Sequence, residues 1–149
     1  MTPTPPAIRR ARPADAASVV ALIQQHVSSG TLLPRSVDFV AERALDFLVA
    51  DDGGRVVGCV HLDEYSPSVA EVRSLAVDGA HQGRGVGAAL VRAAEALARV
   101  RQYATLFAVS NNDAFFRSRG YEPRDIPELD RERSEVSRFK GVYAKDVNS

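Results

Sequence analysis

The chain has 149 residues, of which 45% are hydrophobic and 26% charged, and its formal net charge is zero. This length suffices for one domain with a sizeable core but not for two ordinary ones, and the composition is that of a soluble globular protein. The 19 basic and 19 acidic residues balance, so we expect neither nucleic acid nor an anionic membrane as a partner.

The cysteine content and the N-terminus bear on localisation. The single cysteine, Cys59, cannot form an internal disulfide, which fits a reduced cytoplasmic setting. The start MTPTPPAIRR has no apolar run of signal-peptide length, and no stretch approaches the roughly 18 apolar residues of a membrane span. We therefore expect a cytoplasmic protein without a membrane anchor, folded as one domain over residues 1–149 with a mobile start over residues 1–6.

The first half of the chain predicts helices followed by a hairpin. A short strand begins at Ala7, and Pro13 with Asp15 opens a helix from Ala16 to about His26. After the loop SSGTLLPRS, a second short helix is expected from Val37 to Arg43. The run LDFLVADDGGRVVGCVHLDEY predicts a β-hairpin, because DDGG is a strong turn signal between two β-rich runs.

The second half predicts strands joined by helices. The strand VAEVRSLAV precedes a helix from about Val86 to Val100, whose many alanines favour helix formation. The strand ATLFAVS precedes a short helix, NDAFFRSRG, capped by Asn111 or Asn112 and ended by Gly120. RFKGVYAKDV is expected to form the last strand. The order β-α-α-β-β-β-α-β-α-β predicts an α/β fold with a mixed sheet and helices on both faces.

Gly83, Gly85 and Gly87 cluster where the long helix begins, a common arrangement in phosphate-binding loops. A P-loop requires G-x-x-x-x-G-K-S/T, and neither Lys-Ser nor Lys-Thr follows these glycines. A dinucleotide fingerprint is met formally by Gly83, Gly85 and Ala88. The next strand, however, ends in AVSNN without the acidic residue that binds a ribose, and DGAHQG before the fingerprint is too long for its tight turn.

A third pattern, Q-x-x-G-x-G, is formed by Gln82, Gly85 and Gly87. It resembles the acyl-coenzyme A loop of the GNAT N-acetyltransferase superfamily. Successive N–H groups at a helix N-terminus bind anions, and the helix dipole adds to the attraction. A side chain at Gly85 or Gly87 would hold a diphosphate away from these amides, and Arg84 can add a charge. A glycine-rich turn that merely joins strand to helix is the alternative.

The segments on either side of the loop carry the same resemblance. Leu75 and Val77 fit the apolar-x-Val strand end that precedes the loop, and NNDAFFRSRGY fits the helix that follows the next strand. The resemblance implies a mixed, mostly antiparallel central sheet, two strands that splay apart around the pantetheine arm, and acetyl-CoA as co-substrate. The cofactor-binding residues that it implies are Leu75, Ala76, Val77, Gln82, Gly83, Arg84, Gly85, Val86, Gly87, Asn112, Phe115 and Phe116.

The resemblance also implies direct attack of an amine on the thioester, with Glu71 and Val77 as catalytic residues. Several members carry a glutamate at the position of Glu71 as general base; an ordinary exposed strand residue is the alternative. The backbone N–H at or near Val77 would polarise the thioester carbonyl. Many relatives have, where this chain has Phe116, a tyrosine that acts as the general acid for the leaving thiolate. The general acid of this chain therefore stays unassigned, with Tyr143 and Ser110 as candidates.

A longer resemblance, roughly from residue 31 to residue 147, is to the short stand-alone amino-acid N-acetyltransferases of the N-acetylglutamate synthase group. It is carried by GTLLPRS, by EVRSLAV and by the Phe-Phe helix, and it weakens at the C-terminus, where many relatives have a cysteine-containing segment. It implies that the acceptor is the α-amine of L-glutamate, as in arginine biosynthesis, and that the partner is a small-molecule amino acid.

Glutamate brings two carboxylates, for which bidentate arginines are natural partners. Arg35 and Arg73 are the leading substrate-binding residues, and Ser36 and Lys140 are weaker candidates. Arg73 shares a strand face with Glu71, because side chains two residues apart point the same way. A solvated loop arginine at position 35 and a structural ion pair of Arg73 with Glu71 are the alternatives.

Other functions remain open at this point. Cys59 and His61 share a strand face, but the cysteine is expected to be a buried apolar residue rather than a nucleophile. The histidines at 26, 61 and 81 show no metal-ligand spacing, so no metal is expected, and His81 is expected to be solvated. The rival functions are a GNAT enzyme for a peptide N-terminus, polyamine or other small molecule, and a non-catalytic acyl-CoA sensor. A homodimer is compatible with the sequence.

Overall fold

The computed structural model describes residues 4–28, 32–127, 129 and 141–148 of the chain. The helices of this part are α1 (Ala16–Val27), α2 (Val37–Glu42), α3 (Val86–Val100) and α4 (Asp113–Arg117). Its strands are β1 (Ala7–Arg10), β2 (Phe47–Asp52), β3 (Arg55–Ser66), β4 (Val69–Val77), β5 (Thr105–Ser110), β6 (Glu122–Pro123) and β7 (Gly141–Asp146).

The described strands form one sheet in the order β1-β2-β3-β4-β5-β7-β6. Neighbouring strands are antiparallel except β4 and β5, which are parallel. The parallel pair follows from the crossover through α3, since a helix returns the chain to the end of the sheet from which it started. The expected mixed, mostly antiparallel sheet is confirmed.

Helices cover both faces of the sheet, as the sequence predicts. Phe47 and Val49 of β2 lie in a core cluster with α1 and α2, whereas Leu48 and Ala50 lie in a cluster with α3 and α4. The two clusters separate because successive residues of a strand point to opposite faces. We call these the α1 face and the α3 face of the sheet.

The pairing of β4 with β5 is short. It covers only the first residues of each strand, in the pairs Val69–Thr105, Ala70–Leu106 and Glu71–Phe107. Beyond this point β4 stays paired with β3 as far as Val77, and β5 stays paired with β7 as far as Ser110. The two strands therefore diverge, and a gap opens in the middle of the sheet.

A β-bulge interrupts β4 within the diverging part. Ser74 and Leu75 together oppose Val60 of β3, and Ser74 has a φ of 52°, a left-handed conformation that residues other than glycine seldom adopt. An extra residue reverses the direction of every later side chain. Val72 accordingly packs on the α3 face and Ala76 on the α1 face.

The predicted elements are present with small shifts at their ends. The last strand covers Gly141–Asp146 rather than residues 138–147, and residues 138–140 lie outside the described part. Asn112 rather than Asn111 caps α4, because its side chain accepts a hydrogen bond from the Phe115 N–H at 3.3 Å. β6 was not predicted, since two residues carry no periodic pattern. The expected mobile start stays a prediction.

None of the helices in the described ranges is both long enough and apolar enough to span a membrane.

Gly58 of β3 lets α3 lie close to the sheet near the gap. A Cβ at this position would lie 3.0 Å from Leu90 Cδ1, 3.1 Å from Val86 Cγ1 and 3.3 Å from Ala50 Cβ. We expect Gly58→Ala to lower the free energy of unfolding by about 1–3 kcal/mol in urea titrations, because the start of α3 must shift. Gly79→Ala is the control, since a Cβ there meets nothing within 4 Å. An equal loss in both variants would contradict the explanation.

Candidate active site

A cavity of about 670 Å³ lies where β4 and β5 diverge. Its wall is formed by the end of α1, the loop before α2, the gap-side residues of β4 and β5, the glycine loop, the start of α3, and α4. This volume is typical of pockets that bind small molecules.

Most of the residues predicted from the sequence line this cavity. They are Arg35, Glu71, Arg73, Leu75, Val77, Gln82, Gly83, Gly85, Val86, Gly87, Asn112, Phe115 and Phe116. Three predicted residues do not line it. Ser36 instead caps α2, where its Oγ accepts a hydrogen bond from the Phe39 N–H at 3.1 Å. The bulge directs the side chain of Ala76 into the core on the α1 face, and Arg84 is exposed on the loop. Lys140 lies outside the described residues.

Glu71 lies at the inner end of the gap, and its side chain is only 4% exposed. Arg73 places Nε 3.7 Å from Glu71 Oε1 and Nη1 3.3 Å from Asp63 Oδ2. The expected common face of Glu71 and Arg73 is therefore present, and so is the ion pair that was the alternative for Arg73. Glu71 is not an exposed strand residue.

Arg35 reaches the cavity from the loop before α2. Its Cζ lies 5.2 Å from the centroid of the Phe39 ring, and its Nη1 donates to the Pro34 carbonyl at 3.0 Å. Arg43 lies over the same ring, with its Cζ at 3.9 Å from the centroid, but does not line the cavity. Arg35 is half-buried rather than fully solvated.

The three glycines of the loop differ in backbone conformation and in their surroundings. Gly83 and Gly85 have φ values of 77° and 81°, which side chains strongly disfavour. Gly87 lies inside α3, where a Cβ would make only ordinary contacts, at 3.7 Å from Phe115 and 3.9 Å from Val77. A glycine within a helix costs about 0.5–1 kcal/mol relative to alanine. Neither conformation nor packing requires glycine at this position, and Gly87 is one of the residues that line the cavity.

Two side chains hold the end of β4 beside the loop. The Val77 carbonyl accepts hydrogen bonds from His26 Nε2 at 3.2 Å and from Gln82 Nε2 at 3.1 Å. The N–H of Asp78 donates to the Val57 carbonyl of β3 at 2.9 Å. Because successive N–H groups of a strand point to opposite edges, the Val77 N–H points towards the gap. No sequence pattern marked His26, since its contact joins distant parts of the chain.

Comparison with known proteins identifies the family. Residues 43–123 match the acetyltransferase (GNAT) domain. The chain belongs to the GNAT acetyltransferase family. It is similar to an uncharacterized N-acetyltransferase of Chlorobaculum tepidum, with 36% identity over 115 residues, 77% of this chain and 74% of the relative. It is also similar to an amino-acid acetyltransferase of Mycobacterium tuberculosis, with 31% identity over 119 residues, 78% of this chain and 68% of the relative.

Solved structures agree. The N-acetylglutamate synthase of Neisseria gonorrhoeae complexed with coenzyme A and N-acetyl-glutamate matches with a TM-score of 0.86 and 26% identity, over 96% of this chain and 35% of the synthase. A Mycobacterium tuberculosis protein in complex with CoA matches with a TM-score of 0.84 and 25% identity, over 95% and 99% of the two chains. The resemblance to the GNAT fold and to amino-acid acetyltransferases is confirmed.

The two candidates for the acid of the acetyltransferase differ in position. Ser110 lines the cavity, and its Oγ accepts a hydrogen bond from the Asn112 N–H at 2.9 Å. Tyr143 does not line the cavity. Its ring stacks parallel to Phe116, and burial together with a hydrogen bond to Asp113 raises the pKa of its hydroxyl. The geometry therefore favours Ser110, and the acid role stays a prediction.

His81 is not solvated, contrary to expectation. Its Nδ1 lies 3.2 Å from Asp78 Oδ2, its Nε2 lies 3.1 Å from Asp52 Oδ2, and its side chain is 14% exposed. The hydrogen bond from His81 holds the pKa of Asp78 below its ordinary value. This bridge ties the turn before the glycine loop to the β2–β3 hairpin. The described residues contain no group of three or more His, Cys, Asp or Glu side chains that could hold a metal ion.

Cys59 and His61 are core residues of the acetyltransferase. The Cys59 thiol donates to the Ser74 carbonyl at 3.4 Å, and burial raises its pKa to about 12. The His61 ring stacks on Phe47 with the centroids 4.3 Å apart, and burial lowers its pKa to about 4. A nucleophilic pair requires a thiolate beside a charged imidazole, so this arrangement does not support Cys59 as a nucleophile.

His61 makes folding stability depend on pH. Its pKa falls from 6.5 to about 4 on folding, so the unfolded chain takes up the proton first. The free energy of unfolding therefore drops as the pH falls from about 6.5 to about 4, by about 3 kcal/mol for this group. Urea titrations at about pH 7.5 and about pH 4.5 should show a smaller loss for His61→Phe than for the unchanged protein. Equal losses would refute the assignment.

Proposed function

We propose that this acetyltransferase transfers the acetyl group of acetyl-CoA to the α-amine of L-glutamate, the first step of arginine synthesis, in the cytoplasm. One observation carries the proposal: the glycine loop, the buried carboxylate of Glu71, and the side chains of Arg35 and Arg73 line one cavity. The similarity to an amino-acid acetyltransferase and to a synthase complexed with N-acetyl-glutamate supports it.

The glycine loop holds the diphosphate of the coenzyme in this proposal. Gly83 and Gly85 give the backbone its turn, and the N-terminus of α3 adds the positive end of the helix dipole. Gly87 lines the cavity, and the absence of a side chain there lets the phosphates approach the amides. Bound there, acetyl-CoA supplies an activated acyl group as a thioester.

Glu71 accepts the proton of the substrate ammonium group, which frees the amine to attack the thioester carbonyl. The Val77 N–H donates a hydrogen bond to the carbonyl oxygen as negative charge develops on it. As the C–N bond forms and the C–S bond breaks, the second proton of the amine passes to the departing sulfur, and Ser110 donates a hydrogen bond that stabilises the thiolate until it is protonated. This use of Ser110 fits its place on the cavity wall.

Arg35 and Arg73 bind the two carboxylates of glutamate in this proposal. The contacts of Arg73 with Glu71 and Asp63 use its Nε and Nη1, which leaves Nη2 for a substrate oxygen. Arg73 thereby also orients the Glu71 carboxylate. An acidic amino acid suits the site because two guanidinium groups can each make charge-assisted hydrogen bonds with it.

The deciding experiment measures thiol release from acetyl-CoA with a panel of amino acids, a polyamine and a peptide. We expect the highest kcat/KM with L-glutamate, and Glu71→Gln should lower kcat by about 10²–10⁴ because it cannot accept a proton. Turnover of the polyamine or the peptide but not of glutamate would show that the acceptor is that amine and not glutamate. Binding of CoA without turnover of any amine would indicate a sensor.

Arg35 and Arg43 form a matched pair of variants, since both lie over Phe39 but only Arg35 lines the cavity. We expect Arg35→Ala to raise KM for glutamate about tenfold or more, because charge-assisted hydrogen bonds are lost, and to leave KM for acetyl-CoA nearly unchanged. Arg43→Ala should change neither. Steady-state kinetics with each substrate varied in turn would measure the two KM values. An equal effect of Arg35→Ala on both would show that the substrate carboxylate does not bind at Arg35.

A further inference from the structure

Arg119, which follows α4, presents a cation to the cavity that no described carboxylate neutralises. Its Cζ lies 4.8 Å from the centroid of the Phe115 ring. Its Nε is buried, and no donor or acceptor among the described residues pairs with it. Arg117, two residues earlier, instead forms an ion pair with Asp113, with Nε 2.7 Å from Oδ1. The guanidinium of Arg119 can therefore bind an anionic ligand at the wall of the active site.

The position of Arg119 is fixed relative to the glycine loop. Phe115, on which the guanidinium lies, also borders the space beside Gly87. The backbone of Arg119 is anchored from below, because Lys145 Nζ donates to its carbonyl at 2.9 Å and is itself paired with the buried Glu95 at 3.3 Å. The same aromatic ring, Phe115, therefore lies between the guanidinium of Arg119 and Gly87 of the glycine loop.

Coenzyme A carries two kinds of phosphate. Each phosphate of the diphosphate bears one charge, which backbone amides and a helix dipole can balance. The ribose phosphomonoester has a second pKa of about 6 and bears nearly two charges at neutral pH, for which a guanidinium with parallel N–H groups is the better partner. The loop amides and the helix dipole, with the exposed Arg84 beside them, provide for the first kind, but amides and a dipole do not supply the paired N–H groups that suit the second kind.

We propose that Arg119 binds the ribose 3′-phosphate, so that the enzyme distinguishes coenzyme A from its dephospho form. The inference rests on the proposed use of acetyl-CoA. It adds a contact that the glycine motif does not contain, and it accounts for an arginine beside the loop that forms no ion pair with any carboxylate in the described part of the chain.

Calorimetric titration of the full chain with CoA and with dephospho-CoA tests the assignment. The unchanged protein should bind CoA roughly tenfold or more tightly than dephospho-CoA. Arg119→Gln should weaken CoA binding by about that factor and leave dephospho-CoA binding unchanged, so that the preference disappears. Arg117→Gln is the matched control and should keep the preference, because its charge is already paired with Asp113.

Each outcome decides the matter. Equal losses for both ligands in Arg119→Gln, or no preference in the unchanged protein, would overturn the inference while leaving the proposed reaction intact. Absence of CoA binding in the unchanged protein would overturn the proposed function itself. Arg119→Met retains the apolar contact with Phe115, and serves as the second variant if Arg119→Gln lowers the melting temperature.

Discussion

The short parallel pairing of β4 with β5 is the constraint on which the active site depends. After Glu71 each strand keeps a partner on its outer edge, β3 for one and β7 for the other, so the sheet stays intact while its centre opens. The strand edges in the gap present backbone groups, such as the Val77 N–H, that do not take part in a β4–β5 ladder. A ligand that pairs with such an edge gains main-chain hydrogen bonds, as in other complexes where a segment extends a sheet. The opening therefore makes a site out of backbone, before any side chain contributes.

The bulge at Ser74 makes the side chains of β4 that border the gap point to one face of the sheet before it and to the other face after it. Before it, Glu71 and Arg73 point to the α1 face, opposite Val72; after it, Leu75 and Val77 pack towards the α3 face. A regular strand would place all four on one face. In our proposal the coenzyme lies against α3 and α4 while the amine approaches from α1 and α2, so the two reactants meet inside the gap without competing for the same wall. The left-handed conformation of Ser74 is the local cost of that arrangement.

Local sequence patterns predicted much of this site, whereas the rest depends on tertiary contacts that the sequence does not display. The glycine loop, the helix after it, and the common face of Glu71 and Arg73 follow from spacing along the chain. The bulge does not, because it is defined by the register of β4 on β3. The position of Arg119 on the cavity wall was not predicted; the sequence shows only that Asp113 and Arg117 stand four apart on a helix, a spacing that pairs them with each other rather than with Arg119.

The family relationship and the choice of acceptor depend on different parts of the chain. The acetyltransferase match, residues 43–123, contains the glycine loop and α4, which in our proposal bind the donor, and Glu71, which in our proposal is the base. Arg35 and all of α2 precede it, and the loop that carries Arg35 forms part of the cavity wall. The fold can therefore keep the chemistry of acetyl transfer while residues outside the match select the amine. Arg73 is the exception, since it lies within the match and contacts both Glu71 and Asp63. A substrate carboxylate that engages Arg73 must share it with Glu71, which couples recognition of the acceptor to the orientation of the base.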